Sequence, residues 1–316
     1  TGAWIAREAV RLGLRPILAG RNSSRLDPLA NELGTDRRVF PLNQPVTVRE
    51  ALSDCRLVLN CAGPFSQTAE AMVGACLETG TAYLDITGEV EVLESIAQRH
   101  ELAVERNVPL IPGVGFDVVP TDTLAVLLKQ SLPSATSLQL AFTGTGSLSP
   151  GTTRTIIETS QKGGRVRQNG QIVSVPLGWK RRRIPFRSGP RWAMTVPWGD
   201  VATAWYSTGI PNIEVYLAMP LWSILAARFL FPKGRLPFVR PDLRRLEPLL
   251  RRTFGLQPPG TTKVTVDLWG CVTDNQGQTR TATMQTPDGY QLTVQTALAA
   301  VRRLLDSGLS GGFFTP

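Results

Sequence analysis

Through its first 130 residues the chain alternates short apolar runs with amphipathic segments, and few folds accept that alternation. Ala3–Leu12 has Ile5, Ala9, Val10 and Leu12 on one side of a helix, and Gly13 follows as a natural C-terminal stop. Pro16–Ala19 is a short β-type run and Ser23–Glu32 a second helix. Arg38–Phe40, Arg56–Cys61, Ala82–Ile86 and Val108–Ile111 are further strands. Between and after them the periodicity predicts helices over Thr47–Leu52, Thr68–Glu78 (closed by Gly80), Val90–Arg106 and Thr121–Gln130. Strand–helix alternation at this spacing specifies an α/β fold with a Rossmann-type, doubly wound parallel sheet.

From Ser137 the pattern changes. Ser137–Phe142 alternates as a strand, and a small-residue loop at Gly144–Gly151 leads to a helix predicted from Thr153. Gly163–Val175 has the form of a hairpin. Lys263–Cys271 and Gln278–Gln285 form another around Asn275-Gln276-Gly277. Tyr290–Val294 leads into a final amphipathic helix over Thr296–Leu305. The expectation is a Rossmann domain over 1–135 and an α+β, mainly antiparallel domain over 136–316, the last helix packing back on the first domain. Ile213–Phe231 is the most apolar stretch, but Glu214, Pro220 and Arg228 make it a poor membrane span. It fits a buried helix. It also fits an interfacial or acyl-binding helix, because the basic segment Lys233–Arg252 follows it.

Charge is distributed unevenly along the 316 residues. Residues 1–150 carry 12 Lys/Arg against 16 Asp/Glu, whereas residues 151–256 carry 18 against 5. The basic excess therefore sits in runs such as Lys180–Arg183, Arg244-Arg245 and Arg251-Arg252, and it favours an anionic partner. Specific nucleic-acid recognition is not expected, since no zinc-finger, RNP or basic-zipper pattern accompanies the charge. Cys55, Cys61, Cys76 and Cys271 lack C-x-x-C spacing and read as buried reduced thiols. That points to a cytoplasmic setting, while the apolar and then basic stretch 213–252 would allow peripheral membrane contact.

Thr1-Gly2 directly before a helix matches the end of a dinucleotide-binding turn, in which the helix N-terminus faces a pyrophosphate. The next strand ends Ala19-Gly20-Arg21-Asn22, with Arg25 one turn on. A carboxylate there would suit an unmodified ribose, whereas the Arg21 guanidinium suits a 2′-phosphate, so NADP is favoured over NAD. Cys61-Ala62-Gly63-Pro64-Phe65 closes a buried strand with small residues that let backbone approach a ligand. Leu84–Glu89 repeats the pattern and adds Gly88; Asp85 and Glu89 are functional candidates there, while Thr87 and Glu89 equally suit a helix cap. For acid–base work the candidates are Asp117 and Tyr206, with Asn212 beside them; Asp122 fits better as an N-terminal helix charge. His100 is the single histidine and fits a surface position, so neither a Ser-His-Asp site nor a metal site is expected.

Taken together these segments resemble the saccharopine dehydrogenase-like NADP-binding oxidoreductases, a group that includes trans-acting enoyl reductases. The resemblance rests on AGRN at 19–22, LNCAGPF at 59–65, YLDITGE at 83–89 and PGVGFDVVPTD at 112–122. It continues with GGRVR at 163–167, PWGDVATAWYSTGIPN at 197–212 and TPDGY at 286–290. It implies an NADP-binding domain followed by an α+β domain that covers the cleft, with Gly2, Arg21, Ala62, Gly63 and Pro64 at cofactor-contacting positions. It also implies a first strand and Gly-rich turn ahead of Thr1 and more residues after Pro316. On that expectation this stretch is internal, lacks the first strand of its sheet, and binds NADP weakly or not at all by itself. Two functions follow. One is reduction of a C=C or C=O bond in a small-molecule or carrier-bound acyl substrate, in a chain that can pair as a homodimer. The other is a catalytically silent Rossmann protein that senses cofactor or binds a lipid surface.

Overall fold

The computed structural model describes residues 1–144, 163–230 and 265–316. The helix expected from Thr153, the basic segment Lys233–Arg252 and the start of the strand from Lys263 lie outside the described residues. The chain forms two compact units. One comprises Thr1–Thr87, Glu91–Phe116 and Tyr290–Pro316; the other comprises Gly88–Val90 and Asp117–Gly289. The division thus follows Phe116, where the sequence suggested 135, and the last helix is part of the first unit.

The first unit is an α/β layered structure. Strands β1 (Leu18–Gly20) and β2 (Arg37–Val39) pair in parallel. Strands β3 (Leu57–Asn60), β4 (Ala82–Asp85) and β5 (Pro109–Ile111) form a second parallel ladder, which β14 (Gly312–Phe313) extends beyond β5. Every residue of β4 is buried, as a parallel strand covered on both faces requires. One face is covered by α3 (Pro45–Leu52), α4 (Ala69–Thr79), α5 (Val90–Ala97) and α6 (His100–Glu105), whose Val48, Val73, Cys76 and Ile96 pack around Tyr83 and Leu110. The other is covered by α1 (Gly2–Arg11) and the terminal helix, where Ile5, Ala9, Leu298 and Val301 pack on Leu84 and Ile111. Helix α1 serves both ladders. Ile5 and Ala9 face the four-stranded one, while Ala6 packs with Leu18 of β1 and Ala30 of α2 (Ser23–Leu33).

The long helix expected over Val90–Arg106 is in fact two, broken at Gln98–Arg99 with neither proline nor glycine to mark the break. Cys76 is fully buried, but Cys55, Cys61 and Cys271 are only half-buried, and all four are unpaired.

The second unit is built on a mixed sheet with eight strands among the described residues. Its main path runs β13 (Thr279–Thr286), β12 (Val266–Asp274), β6 (Ala135–Phe142), β11 (Asn212–Ala218), β10 (Gly189–Thr195) and β9 (Arg181–Phe186). The β6–β11 pair is parallel and the others on this path are antiparallel. Strands β7 (Gly164–Gln168) and β8 (Gln171–Val175) form the expected hairpin against β11. Its two turn residues, Asn169 and Gly170, both have positive φ (49° and 81°), which is why Asn-Gly stands there.

The stretch Ile213–Phe231 is not one buried helix. Its first part is the central strand β11, and after Pro220 the chain forms a helix, Leu221–Leu230. Ile213 and Val215 alternate with Glu214 and Tyr216 on opposite faces of β11, and ladders on both sides absorb its backbone groups. The basic run Lys180–Arg183 also enters a strand, β9, which the charge pattern concealed.

Helix α7 (Val119–Ser131) lies across β12 and β13, and α8 (Asp200–Thr208) packs beside it. Close approach of α7 depends on Gly270 of β12. A Cβ at that position would stand 2.6 Å from Leu128 Cδ1 and 3.1 Å from Leu124 Cδ2. Replacing Gly270 by valine is expected to destabilise the protein by about 1–3 kcal/mol through overpacking, with alanine intermediate. A shifted urea midpoint would register the effect, and an unchanged midpoint in the valine variant would contradict this packing.

Candidate functional site

The parallel ladder of the first unit ends in a connected set of buried polar groups. Asn60, the last residue of β3, donates from Nδ2 to Thr68 Oγ1 and to the Tyr83 hydroxyl, each at 3.3 Å, and accepts from Ala62 N at 3.0 Å. Thr68 in turn donates to the Ala62 carbonyl at 2.7 Å. The Tyr83 hydroxyl donates to Asp85 Oδ2 at 2.7 Å, while Asp85 Oδ1 accepts from Thr87 N (3.0 Å) and Gly113 N (2.8 Å). The network shapes the loops after β3, β4 and β5, which is the edge at which open α/β sheets collect ligands.

Of the residues singled out for cofactor contact, Cys61 to Phe65 follow β3 at this edge and Gly2 packs on Cys61. Gly2 begins α1 against the strand end, and a Cβ there would come within 3.3 Å of Cys61 Cβ. Among the described residues no side chain caps the first turn of α1, which also holds no acidic residue, a composition that suits an anion at a helix N-terminus. Thr1 is the residue before that helix. Burial pushes the Cys61 thiol up to about 12, so it is a neutral wall rather than a nucleophile. Ala62 is fixed through Asn60 and Thr68, and Gly63-Pro64-Phe65 continues the loop into a single 3₁₀ turn, Phe65–Gln67. Arg21 and Asn22 sit exposed at the end of β1; Asn22 Oδ1 accepts from Ser24 Oγ at 2.7 Å. Among the described residues no carboxylate pairs with Arg21. A cleft of about 200 Å³ between the Phe65 turn and α5 is lined by Ser66, Glu70, Glu91 and Arg99, and Phe65 is the one predicted contact residue it holds.

The second unit carries a different arrangement. Asp117 packs on Gly88, where an added Cβ would meet the Asp117 Cβ at 2.7 Å. These two residues, assigned from sequence to catalysis and to cofactor contact, are therefore direct neighbours. Burial pushes the Asp117 carboxyl up to about 7. Asp122, in the first turn of α7, is 2% exposed and accepts from Ser207 Oγ of α8 at 3.0 Å. Desolvation raises it to about 6, opposed by its hydrogen bonds to Ser207 and Thr203. It lies in the helix's first turn as expected, but its carboxyl also joins the two helices.

Asp200, which no motif argument singled out, is completely buried at the start of α8. Its Oδ2 is 2.8 Å from Thr121 Oγ1, its Oδ1 has no partner among the described residues, and the Trp198 indole Nε1 is likewise unpaired. Burial, then the nearby Asp122 and Asp117, hold the Asp200 carboxyl well above its ordinary value. Thr121 has one hydroxyl proton but two acceptors in reach, Asp200 Oδ2 and, at 3.1 Å, the Val118 carbonyl. A protonated Asp200 that donates to Thr121 satisfies both contacts at once. The available signal was that Asp200 is the one acid in the apolar run 197–212.

The other candidates stand apart from these carboxyls. Tyr206 is 42% exposed on α8, whereas its neighbour Ser207 reaches Asp122. Asn212 has a structural role: its Nδ2 donates to Thr136 O at 2.9 Å and its Oδ1 accepts from Asn169 N at 3.0 Å. His100 is exposed as expected, yet its Nδ1 accepts from Phe313 N at 3.1 Å and so holds β14 in place. No group of three His, Cys, Asp or Glu among the described residues has metal-binding geometry.

This geometry is that of a saccharopine dehydrogenase-type fold. The yeast saccharopine dehydrogenase (L-Glu forming) superposes on it with a TM-score of 0.64, covering 99% of this chain and 92% of that one at 11% identity, a likeness of fold alone. No family model matches the chain. Curated relatives carry the names the motifs suggested. The chain is 38% identical over 109 residues to the mouse saccharopine dehydrogenase-like oxidoreductase, a match covering 34% of this chain and 25% of that protein. It is 36% identical over 114 residues to the trans-acting enoyl reductase of Mycobacterium leprae, covering 34% and 27%. A probable mitochondrial saccharopine dehydrogenase-like oxidoreductase of Arabidopsis thaliana is 32% identical over 142 residues, covering 39% and 31%. These matches span a quarter to a third of the relatives' own length.

The raised carboxyls have a consequence for stability. Asp117 and Asp122 keep their protons in the folded protein up to about 7 and about 6, whereas in the unfolded chain they lose them near 3.8. Between those values the folded state binds more protons, so stability falls as pH rises. Replacing Asp117 and Asp122 by asparagine is expected to flatten that decline. The stability of the double variant relative to wild type should rise from pH 4 to pH 7 in urea denaturation. A pH-independent difference would remove the basis for these shifts.

Proposed function

We propose that this protein is an NADP(H)-dependent oxidoreductase that reduces a C=C or C=O bond of an acyl or lipid-like substrate. The observation that carries the cofactor reading is Arg21, exposed at the end of β1 with no carboxylate partner among the described residues. Helix α1, whose first turn is uncapped, packs through Ala6 on that same strand and through Gly2 on Cys61. In this reading α1 holds the pyrophosphate, Arg21 pairs with the 2′-phosphate, and Ala62-Gly63-Pro64 lie beside the nicotinamide half. The bound cofactor supplies the hydride. The chain's own part is to bind and orient, and to hold protons: Asp117 and Asp122 exchange one near neutral pH, as a general acid must. The relatives' printed names support an oxidoreductase, and one group among them supports reduction of an enoyl bond.

Fluorescence titration with NADPH and NADH tests the cofactor reading. NADPH should bind more tightly, and Arg21→Asp should weaken NADPH by about tenfold or more while leaving NADH little changed, as expected for loss of a charge-assisted bidentate pair. Equal affinities for both cofactors, unaffected by Arg21→Asp, would sink it. Consumption of NADPH with enoyl and ketoacyl thioesters then tests the substrate class.

A further inference from the structure

We propose that Leu221, Trp222 and Leu225 at the start of α9 (Leu221–Leu230), together with the adjoining edge of the second unit's sheet, dock on an anionic membrane surface. This inference is independent of the cofactor reading. Ser223 and Ile224 turn inward, at 3% and 2% exposure, and Ile224 packs with Met194 and Met219. One helical arc away, Leu221, Trp222 and Leu225 are 36%, 60% and 45% exposed. At 100° per residue these three fall on a single stripe, opposite the buried pair. A soluble helix of ordinary amphipathic design would place polar groups there.

The sheet continues the same surface. Met219 N donates to Trp192 O at 2.9 Å, which brings β10 alongside the start of the helix. Trp192 is 37% exposed. In the β9–β10 ladder Arg183 lies opposite Trp192 and Arg181 opposite Met194, on which the helix rests. Directly opposed residues of an antiparallel pair share a face. Arg181 and Arg183 are therefore on the side that carries Trp192 and α9, both exposed and without a carboxylate partner among the described residues. Their neighbour Arg182 points to the other face, where it lies over the Trp269 ring.

Two tryptophans and two leucines beside unpaired guanidinium groups match the chemistry of a membrane interface. Indole rings settle at the headgroup level and aliphatic side chains reach the acyl boundary. Guanidinium groups meet anionic headgroups. A copy of this same chain is the less suitable occupant, because a two-fold contact would set Arg181 and Arg183 against an identical basic patch. No helix among the described residues is long and apolar enough to cross a membrane, so the contact is with a surface.

Co-sedimentation with vesicles of phosphatidylcholine alone, and of phosphatidylcholine with about a third phosphatidylserine, tests the proposal. The protein should bind the anionic vesicles. Trp222→Ser with Leu225→Ser, and separately Arg181→Gln with Arg183→Gln, should each weaken binding by about tenfold or more. Salt should weaken wild type far more than the arginine variant. The substituted side chains are exposed, so circular dichroism and urea midpoints should be unchanged. Should a variant fold poorly, quenching of wild-type tryptophan fluorescence by brominated lipid in the anionic vesicles replaces it, and absence of quenching would overturn the proposal. So would failure to bind anionic vesicles, or binding that the tryptophan–leucine variant retains in full. Self-association without vesicles, lost in that variant while vesicle binding persists, would assign the face to a second copy instead.

Discussion

The first unit depends on one carboxyl group. Asp85 terminates a strand whose every residue is buried, and its two oxygens take a hydroxyl from Tyr83 and two backbone N–H groups, from Thr87 and Gly113. Each such bond contributes on the order of 0.5–1.5 kcal/mol net, but a buried donor left without its acceptor costs more than that. A residue that could not accept all three would free the loops after β4 and β5 together. Through Tyr83 the same group reaches Asn60 and so sets the backbone at Ala62. The loop geometry on which the proposed cofactor site relies is therefore held from beneath by hydrogen bonds rather than by loop rigidity.

The second unit solves a different problem. Helix α7 is pressed on a sheet at a position where only glycine fits, α8 packs beside it, and the two carry buried acids that meet hydroxyl groups instead of cations. A buried carboxylate facing Thr and Ser hydroxyls is poorly solvated, so it holds its proton to higher pH than it would in water, although the hydroxyls oppose part of that shift. Buried acids of this kind are common at sites of proton transfer, because a proton held near neutrality is what such chemistry uses. Asp200 differs from Asp117 and Asp122 in that one of its oxygens, fully buried, has no partner among the described residues.

Helix α1 links the proposed chemistry to the architecture. It packs on two parallel ladders that do not hydrogen-bond to each other, using Ile5 and Ala9 for one and Ala6 for the other. Its small residues permit that double contact. The arrangement also brings the uncapped first turn to Cys61 while one side of the helix rests on the strand that ends at Arg21.

Local patterning determined much of this. Apolar periodicity and glycine stops located the helices and strands of the first unit to within a few residues, because those signals act over one or two turns of chain. Arg21 and the small-residue loop at 61–65 were legible for the same reason: backbone approach and charge at a strand end are properties of neighbouring residues. Tertiary structure alone decided that Ile213–Ala218 is a central strand, since its neighbours β6 and β10 are 75 residues before it and about 20 before it, and their ladders outweigh an apolar run's helical reading. It alone turned the Arg181–Phe186 run into a strand with alternating faces, aiming Arg181 and Arg183 to one side and Arg182 to the other. And it alone assembled Asp117, Asp122 and Asp200, because a carboxyl's protonation is set by which distant segments exclude water from it, and no local pattern records that.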